Sequence, residues 1–330
     1  MTTARTTPAD VGRWLFWVPL RRTIGPDRQA WLRLLQQGWR LRSATGRDSD
    51  LMLDEFRRCF GPNRSDHEYR AMVRDSYRCS WRVHLEELLL DRLDAHNIDN
   101  FIVLRGSEHL DNALHQGRGA LWLYPHAGAI MLMLAALSLK GYRYTQYAAR
   151  GLAPPDVARD HPELLAPNRL REAVRRTREA HEDQLPARYV TLETPVRELV
   201  RRLQSNEVVG IAFDGRIGRS WVSHDYLGRQ ALLSPGPYKM AVLAQSPVLP
   251  VFCHTPRSGP SVCEIGEAIE PGGDWRDLMH RTVAFQSNRL HEQPEEYGTW
   301  LLHCRIRNQI DDHPLFVDQA QDDRWKRWLR

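Results

Sequence analysis

Gly119-Ala-Leu-Trp-Leu-Tyr-Pro-His-Ala-Gly-Ala-Ile-Met131 is the stretch on which the reading of the fold turns. An apolar run, Ala120 to Tyr124, delivers a lone histidine, His126, to a turn containing Pro125 and Gly128. A long apolar segment, Ala129 to Leu139, follows. This order predicts strand, loop and helix, with an ionisable group at the C-terminal end of the strand. That is where open α/β sheets place their chemistry.

The same texture extends outward. Phe101–Arg105, Arg143–Ala148, Arg188–Leu192, Val208–Phe213, Val248–Cys253 and Ser261–Ile265 read as short strands. Ser107–His115, Arg169–Asp183, Pro195–Gln204 and Pro237–Gln245 read as helices between them, and Pro154–Pro167 as a polar loop. Upstream, Arg28–Leu41 has helical spacing, and Ser65-Asp-His-Glu68 has the form of a capping box opening a helix to about Leu90. Helices resume at Trp275. The expected fold is α/β: a mostly parallel central sheet covered by helices, with an N-terminal helical layer and C-terminal helices. We expect one domain over 1–330: a helical layer to 97, an α/β core over 98–270 and C-terminal helices from 271.

With 42% hydrophobic and 26% charged residues, the 330-residue chain has the composition of an ordinary soluble globular protein. Its net charge is +5, and lysine occurs only at Lys140, Lys239 and Lys326. The remaining basic residues are arginine, the better bidentate partner of phosphate and carboxylate. The charge is equally explained by compositional bias. No aromatic-interleaved basic motif points to nucleic acid. Cys59, Cys79, Cys253, Cys263 and Cys304 are scattered, with no CxxC pair, which predicts free thiols and no metal centre. No secretory signal is visible, so a cytoplasmic location is expected. Trp14-Leu-Phe-Trp-Val-Pro-Leu20, between arginines, is too short to span a bilayer. It fits either a helix packed on the core or peripheral contact with a membrane interface.

Several blocks share an order with one known family. Asp54-Glu-Phe-Arg-Arg-Cys-Phe60, Asn100-Phe-Ile-Val-Leu-Arg-Gly106 leading to Gly119, Tyr226-Leu-Gly-Arg-Gln-Ala231 with Ser234-Pro-Gly-Pro237 and Pro247-Val-Leu-Pro250, and Pro294-Glu-Glu-Tyr297 with Trp300, His303 and Arg305 run in sequence. Together with His126 they resemble the lysophospholipid acyltransferase superfamily, in its lipid A late acyltransferase and phosphatidylinositol-mannoside acyltransferase branch, over roughly residues 50–308. The resemblance implies acyl transfer from a thioester on acyl carrier protein or coenzyme A to a hydroxyl or amine, with no bound cofactor. The acceptor would be a lipid or, in a repurposed enzyme, a small or carrier-bound metabolite. A degenerate member would bind acyl groups or carrier protein without turnover.

The resemblance makes His126 the general base, and Gly128 matches its His-x-Gly. The family's acid five residues after the histidine is absent: that position is Met131, and no acidic residue stands between Asp111 and Asp156. Asp214, ending the Val208–Phe213 run, is the expected substitute if that strand lies beside Ala120–Tyr124; a simple cap or a salt bridge to Arg216 is the alternative. Backbone amides of Ala127–Ala129 are candidates to face an oxyanion. Arg216, Arg219 and Arg229 are expected to hold anionic parts of donor or acceptor, and Gly236 to open a helix N-terminus suited to an anion. The arginine-rich helix Arg169–Asp183 reads as a solvated face or as a docking patch for acyl carrier protein. His303 and Arg305 read as C-terminal packing residues.

Overall fold

The computed structural model describes residues 11–17, 19, 47–148, 169–191, 193–215, 220–307 and 314–320. The expected helix Arg28–Leu41 and loop Pro154–Pro167 lie outside them. Two helices, α1 (Arg47–Phe60) and α2 (Asp66–Glu86), precede the sheet. The Ser65–Glu68 capping box is present, with the Ser65 N–H donating to Glu68 Oε2 at 2.7 Å and the Glu68 N–H to Ser65 Oγ at 3.3 Å. The α-helix stops at Glu86 rather than about Leu90, and a 3₁₀ turn carries Glu87–Arg92.

Then follow β1 (Ile102–Arg105), α3 (Ser107–His115), β2 (Ala120–Tyr124), α4 (Ile130–Leu139), β3 (Tyr144–Tyr147), α5 (Arg169–Glu182), β4 (Arg188–Val190), α6 (Val196–Gln204) and β5 (Val208–Ala212). A hairpin of β6 (Val222–Tyr226) and β7 (Arg229–Leu233) precedes α7 (Gly236–Ala244), β8 (Val248–His254), β9 (Ser261–Ile265), α8 (Trp275–Glu292) and α9 (Gly298–Arg307). Seven strands form one sheet in the order β1-β9-β8-β2-β5-β3-β4. All neighbours are parallel except β8 and β9. The expected mixed architecture with a mostly parallel sheet is therefore the observed one.

β2 runs through the middle of this sheet, and all five of its residues are buried. Leu121 and Leu123 enter the apolar cluster under α6, α7, α8 and α9. Ala120, Trp122 and Tyr124 enter the other, under α3 and α4. A strand covered on both faces must be apolar throughout, which is why this run does not alternate in polarity. α4 is equally enclosed, with Leu132 through Ser138 all buried; an all-round apolar helix belongs in such a place. Among the described residues no helix is long and apolar enough to cross a membrane. Trp14, read as a candidate for membrane contact, is buried, its ring edge-on to His181 at 5.6 Å. That corrects the interfacial reading for this residue: a ring already enclosed by protein has no face for lipid.

The β6–β7 hairpin had no sequence signal. Its two-residue turn is Leu227-Gly228, both at positive φ. Glycine takes that conformation readily, whereas leucine does so rarely, so the usual Asn-Gly or Asp-Gly marker is missing. The hairpin carries Arg229 into the protein instead of toward a ligand. Its guanidinium pairs with the fully buried Glu55 at 2.6 Å and with Asp318 at 2.5 Å, and lies 3.9 Å over the Phe316 ring. Gln319 Nε2 donates to the same Glu55 oxygen at 2.8 Å, and Arg305 reaches the other at 3.3 Å. Arg229 thus clamps α1, β7 and the 314–320 segment together, correcting its expected role in anion binding: its charge is neutralised by two carboxylates.

A second buried carboxyl fixes the turn Pro294–Glu296. Glu296 accepts the Thr255 N–H after β8 and lies 3.5 Å from the Cys79 thiol on α2, while Ser76 Oγ donates to Glu295 O at 2.7 Å. Burial pushes the Glu296 carboxyl up to about 7.

Two outcomes are expected. Arg229→Met leaves the buried Glu55 short of its principal cation and lowers unfolding free energy in urea by about 3 kcal/mol. The double variant with Glu55→Met recovers much of the loss, because an apolar pair carries no buried charge. For Glu296, both folded and unfolded states are protonated below pH 4.5. Between there and about 7 only the unfolded state releases the proton, so stability drains away as pH rises and the loss is complete above 7. Glu296→Gln is therefore expected to flatten that part of the pH–stability curve and to gain up to about 3 kcal/mol over the parent at pH 8.

Candidate active site

β2 and β5 are adjacent and parallel, with Tyr124 opposite Ala212. Their C-terminal ends therefore open at the same edge, and the two loops that follow carry His126 and Asp214. His126 Nδ1 lies 2.7 Å from Asp214 Oδ1. The His126 backbone N–H donates to the same carboxylate, at 3.0 Å to Oδ2 and 3.2 Å to Oδ1. Tyr297 Oη donates to Oδ2 at 2.6 Å. Asp214 is 1% exposed, whereas the His126 side chain is 31% exposed.

A carboxylate only accepts, so Nδ1 must carry the ring proton. The tautomer this fixes leaves Nε2 as a bare lone pair. The surrounding phenols support the assignment. Burial first, and then the Asp214 charge, hold the hydroxyls of Tyr297, Tyr226 and Tyr238 well above the usual phenol range. Tyr297 therefore keeps its proton and remains a donor to Asp214.

Gly128 sits at φ +65°, and a Cβ there would run into the Cys253 carbonyl at the end of β8. No other residue fits this close approach. Among the expected oxyanion donors, the Ala127 amide is already bonded to Pro125 O at 2.7 Å. Met131, in the first turn of α4, is partly buried against the apolar cluster on that side of the sheet.

His126 and Gly128 line a cleft of about 360 Å³. Its wall is completed by the C-terminal end of α2, the following turn and one face of α9, including His84, Glu87, Trp300 and His303. Trp300 stacks on the imidazole of His126, with ring centroids 3.7 Å apart and planes 11° from parallel. His303 also stacks on Trp300, at 4.9 Å and 15°. Arg305 does pack, through Glu55, but His303 also forms part of the cleft. Sequence reasoning missed Tyr297 and Trp300 as site residues. The i, i+3 spacing of Trp300 and His303 places both on one helix face, yet nothing local shows which loop that face meets.

The remaining expected residues lie elsewhere. Arg216 and Arg219 fall outside the described residues. Arg229 is in the clamp described above. Gly236 begins α7, but its N–H donates to Ser234 Oγ at 3.3 Å, Pro237 has none, and that of Lys239 bonds Pro235 O at 3.0 Å. An anion at the expected Gly236 site would have to compete with Ser234 and Pro235 for these amides. On α5, Arg175 pairs with Glu172 and Glu179, Arg176 with Glu172, and Arg178 with Glu182, each pair within the helix.

Known proteins bear on this arrangement. A 180-residue stretch, 54% of the chain, is 27% identical to a phosphatidylinositol mannoside acyltransferase of Mycobacterium tuberculosis (strain CDC 1551 / Oshkosh). The match spans about half of that protein's length, 52%. The model of the bacterial lipid A biosynthesis acyltransferases matches residues 29–307, a span that takes in all nine described strands and both His126 and Asp214. By that match, the chain belongs to the bacterial lipid A biosynthesis acyltransferase family.

Proposed function

We propose that the protein transfers an acyl group from a thioester, on acyl carrier protein or coenzyme A, to a hydroxyl or amine, with His126 as general base and Asp214 as its orienting acid. The observation that carries this reading is the 2.7 Å contact between His126 Nδ1 and a buried carboxylate supplied by the neighbouring strand's loop. It provides what Met131 cannot. The acceptor's lone pair attacks the thioester carbonyl carbon while its proton passes to Nε2. The carbonyl π pair moves to oxygen, where the amide of Gly128, a residue of the cleft wall, is a candidate donor. Collapse re-forms the carbonyl and breaks the C–S bond, and the departing thiolate takes the proton back from the imidazolium. Asp214 keeps the imidazole in the required tautomer and offsets its transient charge.

One observation favours a second reading of the acceptor. Among the described residues the cleft wall carries Asp48, Glu87 and Glu296 and no arginine or lysine. That charge pattern suits a neutral or cationic acceptor, such as an amine or a carrier-bound metabolite, better than a phosphorylated headgroup. Arg216 and Arg219, which follow Asp214 closely in sequence, remain the candidates for any anionic group. We take α1 through the 314–320 segment as one catalytic unit, because α1, α8 and α9 share the apolar cluster beneath the sheet. A lipid acceptor would place the enzyme at the cytoplasmic face of a membrane.

Thiol release from palmitoyl-CoA and palmitoyl-acyl carrier protein is the test. His126→Ala is expected to cut release by about 10³-fold or more, and Asp214→Asn by at least about 10²-fold with the fold retained by circular dichroism. Full activity in either variant removes that residue from its role. Co-sedimentation with phosphatidylglycerol-containing vesicles separates the acceptor readings. A lipid-acting enzyme pellets with the vesicles, whereas an enzyme of soluble acceptors stays in the supernatant.

A further inference from the structure

The His126–Trp300 stack is an unusual geometry for two neutral rings. Aromatic pairs prefer offset or edge-to-face arrangements, because near-superposed faces bring like quadrupoles together. Centroids 3.7 Å apart with planes at 11° bring the two ring faces closer than aromatic pairs usually come. The same geometry becomes favourable when one ring is a cation, since the indole face is the best cation–π surface among the side chains. As the base, His126 gains a positive charge when it takes the acceptor's proton.

We infer that Trp300 is a positioning residue of the acyl transfer: its indole holds the His126 ring plane and stabilises the imidazolium more than the imidazole. This rests on reading His126 as the base. The need for such a residue follows from how the ring is otherwise held. The Asp214 contact fixes one ring atom, Nδ1, and the backbone N–H contact fixes none. Nδ1 lies off the Cβ–Cγ axis, so its single hydrogen bond sets rotation about that bond; the flat indole adds a second restraint, and Met131 supplies no polar one. Trp300 is itself braced, with His303 one helical turn on stacked against it. An interaction stronger in the charged state acts on the barrier and not on substrate binding. It should therefore appear in kcat and leave KM alone.

The variants Trp300→Leu, which fills volume without a π face, and Trp300→Phe, which restores a weaker one, are to be compared with the parent and His126→Ala. Two readouts apply: thiol release from palmitoyl-CoA or palmitoyl-acyl carrier protein, and ¹H–¹⁵N spectra of the histidine rings. In the parent, the His126 Hε1 resonance is expected upfield from the indole ring current, with the ring in a single Nδ1–H tautomer. Trp300→Leu is expected to lose the upfield shift, to keep the Nδ1–H tautomer that Asp214 fixes, and to lower kcat on the order of tenfold, the size of a partly desolvated cation–π contact. KM is expected to stay within about twofold, because the ground state is little affected. Trp300→Phe recovers a good part of kcat. A Trp300→Leu enzyme with parental kcat, beside an inactive His126→Ala, overturns the role of Trp300 and leaves the base assignment standing. A Trp300→Phe enzyme as slow as Trp300→Leu overturns it too, because packing alone would then be at work. Full activity of His126→Ala defeats the base reading instead. The spectra decide the stack without turnover: an Hε1 resonance that does not move between the parent and Trp300→Leu refutes it.

Discussion

Asp214 is a carboxylate withdrawn almost completely from solvent, and three chain segments meet on it. Burying such a charge is costly unless hydrogen bonds replace the lost water. Here the replacement comes from the His126 backbone, the His126 ring and the Tyr297 hydroxyl. Because the donors are spread over the loop after β2 and the turn before α9, satisfying one charge also fixes the distance between the sheet edge and the C-terminal helices. The cleft wall formed by α9 exists where it does because Tyr297 is tethered to the same oxygen pair that orients the histidine.

The polar interior is organised by the same rule elsewhere. Glu55 and Glu296 are both buried, and each gathers partners from segments distant in sequence: Arg229, Arg305 and Gln319 for the first, Thr255 and Cys79 for the second. The difference between them lies in the kind of partner. Glu55 meets guanidinium groups, while Glu296 meets an amide and a thiol, and burial, helped by the Glu295 charge, lifts its carboxyl to about 7. The C-terminal segments are thus bound to α1, to α2 and to the site by three separate carboxyls, with no disulfide among the five free cysteines.

Much of this was legible in the chain, for identifiable reasons. Strands buried on both faces are apolar throughout, so β2, β5 and β8 stood out as short runs, and the capping box at Ser65 gave the start of α2 directly. The adjacency of β2 and β5, on which the meeting of His126 and Asp214 depends, was only one order that the alternation of elements allows, and the sheet supplies it. Legibility ended wherever a side chain's partner lay far along the chain. Arg229 looked like an exposed loop arginine because its hairpin turn, Leu227-Gly228, carries no polar marker. Gly236 looked like an open anion cradle, whereas Ser234 and Pro235 already engage two of its amides. Trp300 offered only an aromatic residue on a helix; the direction of its face is set by tertiary packing, which periodicity does not encode.

Met131 illustrates what moving one charge does to the rest of a motif. With a carboxylate supplied from β5, the first turn of α4 has no polar duty and can take the apolar character of the cluster it enters. The spacing between histidine and acid then ceases to be a property of one continuous segment. It becomes a contact between residues 88 positions apart. A family search written as a linear histidine-to-acid interval would set this chain aside as defective, although an imidazole–carboxylate pair at hydrogen-bonding distance is present. Chains missing a motif acid are better sorted by asking which neighbouring strand ends in Asp or Glu.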